Sequence, residues 1–333
     1  AFDGNLRFGA KKFHHETRRI VDQFPEEYRS IIEDTKQNRY IRKGDYWEII
    51  ENCPICSSNQ FSHFLNRFGL DYYKCSNCNH KFLSPRIKED KAGELYGIEK
   101  SMTNVYTKNL QSEVDKLKFQ YGLDLINDFF SHEKEVILDI GCGAGHFVNL
   151  SVDNGWKTAV GVDINESFAN LPYKKSGVQF INSEFKDLDL IKLDLNINCV
   201  TMWDVLEHVY NPLKMVKEIH KALSNEGIFL IMVPNSESLA SKIIRERSPS
   251  FCWQHVSCFS AKSLKYLLAN NGFECLLLET VISEIDNIKS YLSGENPYSG
   301  FGDPENLYSF ITPEYIHENL MGSRLLGVFR KIL

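Results

Sequence analysis

Nearly continuous apolar runs recur through the middle of the chain: Val136–Ile140, Thr158–Val162, Val178–Ile181, Cys199–Met202 and Ile228–Val233. Runs of this length suit strands buried on both faces, as in a parallel sheet. Helical patterns lie beside them. Leu110, Val114, Leu117 and Tyr121 recur at steps of four, three and four, which predicts an amphipathic helix covering the sheet, ended by Ser131 to Lys134. Lys214 to Leu223 and Ala261 to Asn270 read as further helices. Asn225-Glu226-Gly227 turns into the fifth strand. The alternation predicts an α/β domain, a doubly wound sheet, over residues 108–280. After Val281 the pattern loosens through Pro297, Gly300 and Pro304. Ile316 to Leu333 then predicts an amphipathic helix, so that 281–333 reads as a cap on the cleft or a dimer segment. At the other end, residues 1–50 read as a charged helical arm broken by Pro25.

The first strand runs straight into Gly141-Cys142-Gly143-Ala144-Gly145-His146-Phe147. Glycines suit a turn whose backbone must touch a ligand, and the following helix aims its first free N–H groups at that ligand. The dinucleotide fingerprint would need a glycine at His146. The spacing here is Gly-x-Gly-x-Gly instead, with Asp139 two positions earlier. Strand two ends in Asp163, and a carboxylate there can accept both hydroxyls of a ribose. The ligand implied is a nucleoside without a pyrophosphate.

Composition narrows the class. The net charge of −6 implies no general affinity for nucleic acid or anionic membrane. No apolar run approaches the length of a bilayer-spanning helix, and residues 1–19 carry no signal-peptide core. The chain lacks an initiator Met, which suits a processed or trimmed start. Four of the nine cysteines are grouped and the rest scattered, a pattern expected of a reducing cytoplasm.

The grouped four are Cys53-Pro54-Ile55-Cys56 and, eighteen residues on, Cys75-Ser76-Asn77-Cys78. Two Cys-x-x-Cys pairs so spaced match a tetrahedral zinc–thiolate site, and four thiolates close the shell, so the zinc would be structural. Residues 51–90 therefore read as a small zinc-ribbon module. Phe61, Phe64, Phe68, Tyr72 and Tyr73 supply its miniature core, with His63 and His80 as bystanders. Its basic residues, Arg67, Lys74, Lys81 and Arg86, are spread out, which does not favour nucleic-acid recognition.

The glycine turn with Asp139 and Asp163 resembles the S-adenosylmethionine (SAM) site of the Rossmann-like methyltransferases. The resemblance implies that Gly141, Cys142, Gly143 and Gly145 lie under the methionine part and that Asp163 and Ile164 hold the ribose side. The family's acid after strand three aligns with Ser183, a departure that leaves Glu184 and Phe185 to meet the adenine. The connector 91–107 would close over SAM, with Tyr96 or Tyr106 near its methionine end. Trp203 to Pro212 is similar to the "DVLEHV-x-x-P" signature of a branch that includes quinone-precursor O-methyltransferases. Trp203 would lie at the cofactor edge. Glu207 and His208 are open to three readings: proton transfer or substrate orientation by His208; a divalent cation on Asp204, Glu207 and His208, weakened because Trp203 replaces one acid; or loop-holding hydrogen bonds. A polar insertion with Ser236, Ser238 and Arg245 to Arg247 leads to Trp253-Gln254-His255-Val256-Ser257-Cys258-Phe259-Ser260, similar to the family's "H-x-x-x-F-S" stretch. This loop reads as a substrate lid, and His255 is the first choice of general base.

The activity implied is direct displacement of the SAM methyl by an acceptor oxygen. The acceptor expected is a hydroxyl of a sugar, sugar nucleotide or related small metabolite. Carbon methylation of a keto-sugar or secondary-metabolite scaffold comes next, then RNA or protein methylation with the zinc module as docking part, then a silent SAM-binding subunit. Similar zinc modules precede the SAM domain in some sugar C-methyltransferases, but those carry a longer C-terminal domain than this chain has room for. A homodimer is left open.

Overall fold

The computed structural model describes residues 46–67, 69–92, 113–165, 175–183, 190, 195–248, 250–285, 288 and 311–332. Most of the arm and of the connector, including Tyr96 and Tyr106, lies outside them, as do Glu184 and Phe185. No helix among the described residues is long and apolar enough to cross a membrane.

Every apolar run predicted as a strand forms one: β6 (Val136–Ile140), β7 (Thr158–Asp163), β8 (Val178–Asn182), β9 (Ile197–Trp203) and β10 (Leu223–Pro234). They pair in parallel in the order β10-β9-β6-β7-β8. The chain thus runs outward from β6 in one direction and returns to its other side at β9. Such a switch point opens a crevice beyond the carboxyl ends of the strands. Alternate residues feed two cores. Leu138, Ile140, Val200, Met202 and Phe229 face α3 (Pro212–Ala222) and α5 (Ala261–Ala269), while Ile137, Cys199, Leu230 and Met232 face α1 (Glu113–Phe129) and α2 (His146–Asp153). A short α4 (Leu239–Ile244) lies in the polar insertion after β10. The result is an α/β sheet with helices on both faces.

Three expectations change. The buried stripe of α1 is Phe119, Leu123, Ile126 and, just beyond its end, Phe130, whereas Leu117 is 51% exposed. Gly122 sets the phase, because a Cβ there would lie 2.4 Å from the Trp203 ring, so this side of the helix lies against the sheet. The turn at Asn225–Gly227 is a bulge inside β10, across which the register with β9 shifts between Leu223 and Ile228.

The predicted helix over 316–333 is the third correction. A short α6 (Pro313–Glu318) is followed by strand β13 (Arg324–Lys331), which lies between β10 and β12 (Phe273–Val281), antiparallel to both. Leu325 and Phe329 join one core, Leu326 and Val328 the other. A segment buried on both faces gains far more as a strand than as a one-sided helix. It completes the seven-stranded sheet, so this part of the chain belongs to the domain and is not a cap.

The cysteine module is a second sheet, β2 (Phe61–Arg67), β3 (Leu70–Cys75) and β4 (Lys81–Leu83), extended on β4 by β11 (Ser257–Cys258) from the lid loop. Two further short strands, β1 (Trp47–Glu48) and β5 (Arg86–Ile87), pair beside it. Cys53, Ile55, Cys75, Cys78 and Phe82 share one apolar cluster with Phe259, Leu264 and Leu267 of the large domain. The module is packed into the domain, with the His80 ring 5.0 Å from that of Phe259 and tilted 48° to it.

Candidate active site

The glycine turn leaves β6 at the switch point. Its backbone folds onto β7, with Gly141 and Cys142 donating N–H bonds to Val162 O at 2.7 and 3.0 Å. Gly141 and Gly145 have φ of +78° and +75°, and added Cβ atoms would meet Val205 at 2.3 Å and Phe180 at 2.2 Å. Protein neighbours by themselves already demand these two glycines. Gly143, at φ +51°, differs: a Cβ there meets nothing within 4 Å, so this residue faces open space where a ligand can approach the backbone.

Two acids flank the turn. Asp163 accepts from Gly143 N and Asn165 N at 2.9 Å each, which leaves lone pairs on both oxygens for further donors. Ile164 beside it is 38% exposed, an apolar face at the strand's carboxyl end. Asp139 is buried and accepts from Thr201 Oγ1 at 2.7 Å. Burial raises its carboxyl to about 7 against the opposing pull of the Thr201 hydrogen bond. A cation bound beside it would restore the ionised form. The Trp203 ring packs on Phe119 at 5.2 Å and Phe147 at 5.3 Å. The indole is buried in this aromatic cluster.

Beyond Trp203 the chain forms a tight turn, Leu206–His208, whose Val205 packs on Gly141. Glu207, His208 and His255 bring one ligand-type atom each within 4.8 Å of the others. The two imidazoles meet edge to face at 4.9 Å. His208 Nδ1 bonds Gln254 O at 3.0 Å, and His255 Nδ1 bonds Ser250 O at 2.9 Å. A carbonyl only accepts, so each Nδ1 carries a proton and each Nε2 is the basic nitrogen. The cation set read from the sequence does not assemble, because Asp204 pairs with Arg324 at 2.7 Å and the third group of the cluster is His255.

The cluster's environments push its groups apart. Burial drives His208 down to about 3, assisted by its histidine neighbour. Burial opposes the charge on His255 too, but Cys252, hydrogen-bonded to it, and then Glu207 outweigh that and hold it at about 9. Glu207, fully enclosed and facing Asp204, rises to about 8, with one carboxylate oxygen buried without a hydrogen bond. Neither Cys252 nor Arg324 is marked out by the sequence. The Cys-x-x-His spacing of Cys252 and His255 is the one available signal; nothing local ties Arg324 to Asp204, 120 positions away.

The cysteine module holds both loops. Tyr72 Oη donates to Cys252 O at 2.7 Å, Arg67 to Phe251 O, and Leu83 N to Val256 O at 3.1 Å. On the other loop, Arg86 lies 4.3 Å over the Tyr210 ring and donates to Tyr210 O at 3.0 Å, while Tyr210 Oη donates to Ile87 O at 2.8 Å.

A mostly parallel sheet, a glycine turn at its switch point and an acid ending the next strand define the class of SAM-dependent methyltransferases. Residues 107–278, just over half of the chain, match the methyltransferase-domain family, and the chain belongs to it. The chain is 34% identical over 140 residues to the uncharacterized protein MJ0638 of Methanocaldococcus jannaschii, across 42% of this chain and 58% of that one. Two relatives carry provisional names. One, of Mycolicibacterium smegmatis, is an S-adenosylmethionine-dependent methyltransferase, 26% identical across 41% of this chain and 51% of its own length. The other, YxjB of Bacillus subtilis, is a 23S rRNA (guanine-N(1)-)-methyltransferase, 30% identical across 56% of this chain and 65% of its own. The chain thus spans little more than half of the first of these relatives. Among solved structures, a 1,6-didemethyltoxoflavin-N1-methyltransferase from Burkholderia thailandensis matches 78% of this chain and 98% of its own at 14% identity and a TM-score of 0.48.

Proposed function

We propose that this chain methylates a hydroxyl of a small acceptor, a sugar, sugar nucleotide or related metabolite, with His255 as the proton acceptor. The observation that carries this reading is the convergence of Glu207, His208 and His255 within 4.8 Å, where the lid loop meets the loop packed against the glycine turn. SAM supplies a methyl group on a sulfonium, an excellent leaving group, so the protein's task is positioning plus one proton acceptor. The open face of Gly143 and the carboxylate of Asp163 suit the nucleoside, with Asp139 offering charge to the cationic end. Ile164, exposed beside Asp163, offers the nucleoside an apolar face.

The directions favour His255 over His208 as base: the negative charge available at Cys252 and Glu207 raises the basicity of His255, whereas burial lowers that of His208. The imidazolium formed is stabilised first by Cys252 and then by the share of Glu207 that is ionised, and His208 stays neutral and ties the two loops together through Gln254. His255→Gln should leave SAM affinity intact and lower turnover by about 10²–10⁴-fold; unchanged turnover with the true acceptor would overturn the role. Carbon methylation would use the same base on a carbon acid.

The four cysteines suit a structural zinc ion. Their sulfurs lie within 4.8 Å of one another, with Cys53–Cys78 and Cys56–Cys75 at 3.5 Å. A tetrahedral site with Zn–S near 2.3 Å needs sulfurs about 3.8 Å apart. On this reading the zinc fixes the hairpins that grip residues 251–256 and Tyr210. None of the nine cysteines forms a disulfide, which suits a reducing cytoplasm. A second reading, methylation of RNA, is favoured by the name of the Bacillus subtilis relative; radiolabelled methyl incorporated into RNA and not into small acceptors would establish it instead.

A further inference from the structure

We propose that the cavity between the cysteine module and the lid loop binds the phosphate or diphosphate group of the acceptor. This rests on the small-acceptor reading and narrows it to phosphorylated molecules. The cavity, about 230 Å³, is lined by Lys74, Lys81, Lys242 and Arg245, against a single carboxylate, Glu237. Four cations gather in this way on a chain whose net charge is −6. Two of them are forced together by the fold: Lys74 and Lys81 are direct cross-strand partners on β3 and β4. Like charges so opposed repel.

Lys81 is the most enclosed cation of the cluster and occupies its one carboxylate. Its side chain is 2% exposed, with Nζ 3.1 Å from Ser236 Oγ and 3.1 Å from Glu237 Oε1, and 5.0 Å from the centre of the Phe64 ring. Glu237 itself is 40% exposed at its side chain, so one half-solvated carboxylate faces the whole cluster. A buried charge is tolerated when paired; Glu237 serves Lys81, and multiply charged phosphate oxygens would pair with Lys74, Lys242 and Arg245 beside it. Arg245 is held at φ +47°, a backbone conformation that side chains rarely adopt, which is the kind of strain that collects at ligand clamps.

Size fixes which part of a ligand enters. Whole small-molecule pockets run from about 300 to 1,000 Å³, so this one suits a charged end and not an entire sugar nucleotide. Its wall also reaches the chemistry. Phe251, which lines the cavity, follows Ser250, whose carbonyl orients His255 Nδ1 at 2.9 Å. An acceptor anchored by its phosphate would therefore lie along the loop that carries the proposed base.

The test uses the full chain, titrated at low salt with inorganic pyrophosphate and, separately, with SAM. One pyrophosphate should bind per chain, weakening with salt. Lys242→Ala combined with Arg245→Ala should weaken it at least tenfold while SAM affinity holds, and Lys242→Arg should retain it. Pyrophosphate that fails to bind, or binds the double variant equally well, overturns the proposal. Binding of an RNA oligonucleotide through the same residues, with pyrophosphate silent, overturns it in favour of nucleic acid. If pyrophosphate binds as expected but methyl transfer is found only into macromolecules, the cavity assignment stands and the small-acceptor reading falls.

Discussion

His255 meets opposing influences at a single ring. Burial disfavours its charge, and the negative charge available at Cys252 and then at Glu207 favours it more strongly. Its proton is held up to about 9, above the ordinary histidine value, so the neutral base grows about tenfold per pH unit through the range below that. If His255 is the base, kcat/KM should climb with that slope from pH 7 and level off near 9. A profile flat from pH 6 to 8 would point to His208, which is neutral throughout. Replacing Cys252 by Ser removes the largest raising influence and should move the rising limb toward neutral pH. At this scale the sequence is readable where residues sit in a motif, as with Glu207, His208, Asp139 and Asp163. It is not readable where a role depends on a contact across the fold, as with Cys252, with Thr201 on Asp139, or with Arg324 on Asp204.

Among the elements, the cysteine module does the most to fix the two loops. Replacing Cys75 and Cys78 by Ser should abolish about one zinc per chain by elemental analysis and release Tyr72, Arg86 and Leu83 from their loop partners. Turnover should then fall more than SAM affinity, because those three residues hold positions 210 and 251–256 in place. Full turnover without metal would refute the structural role. Strand β13 tests a different expectation. Phe329 is buried on the α3 and α5 face of the sheet, so Phe329→Ala should cost about 3–5 kcal/mol in a denaturant titration. A surface helix at this position would lose under about 1 kcal/mol. The five parallel strands are legible because burial on both faces leaves near-unbroken apolar runs. Leu325-Leu326-Gly327-Val328-Phe329 is ambiguous, since so short a run fits helix or strand and only its neighbours β10 and β12 decide. The phase of α1 is hidden for a related reason: two apolar stripes overlap on it, and Gly122 against Trp203 selects between them.

On the scale of the whole molecule, the order of the strands fixes where chemistry can occur. The switch point between β6 and β9 gathers the glycine turn, Asp139 and the 203–208 loop at one edge, and the cysteine module carries the lid to the same edge. The most direct measurement is calorimetric titration of the full chain with SAM and its demethylated product. One molecule of either should bind per chain. Asp163→Ala should weaken binding at least tenfold, and a proton should be released below pH 7 as Asp139 ionises beside the bound cation. No heat with either ligand, or binding of a nicotinamide dinucleotide instead, would contradict the assignment of this site.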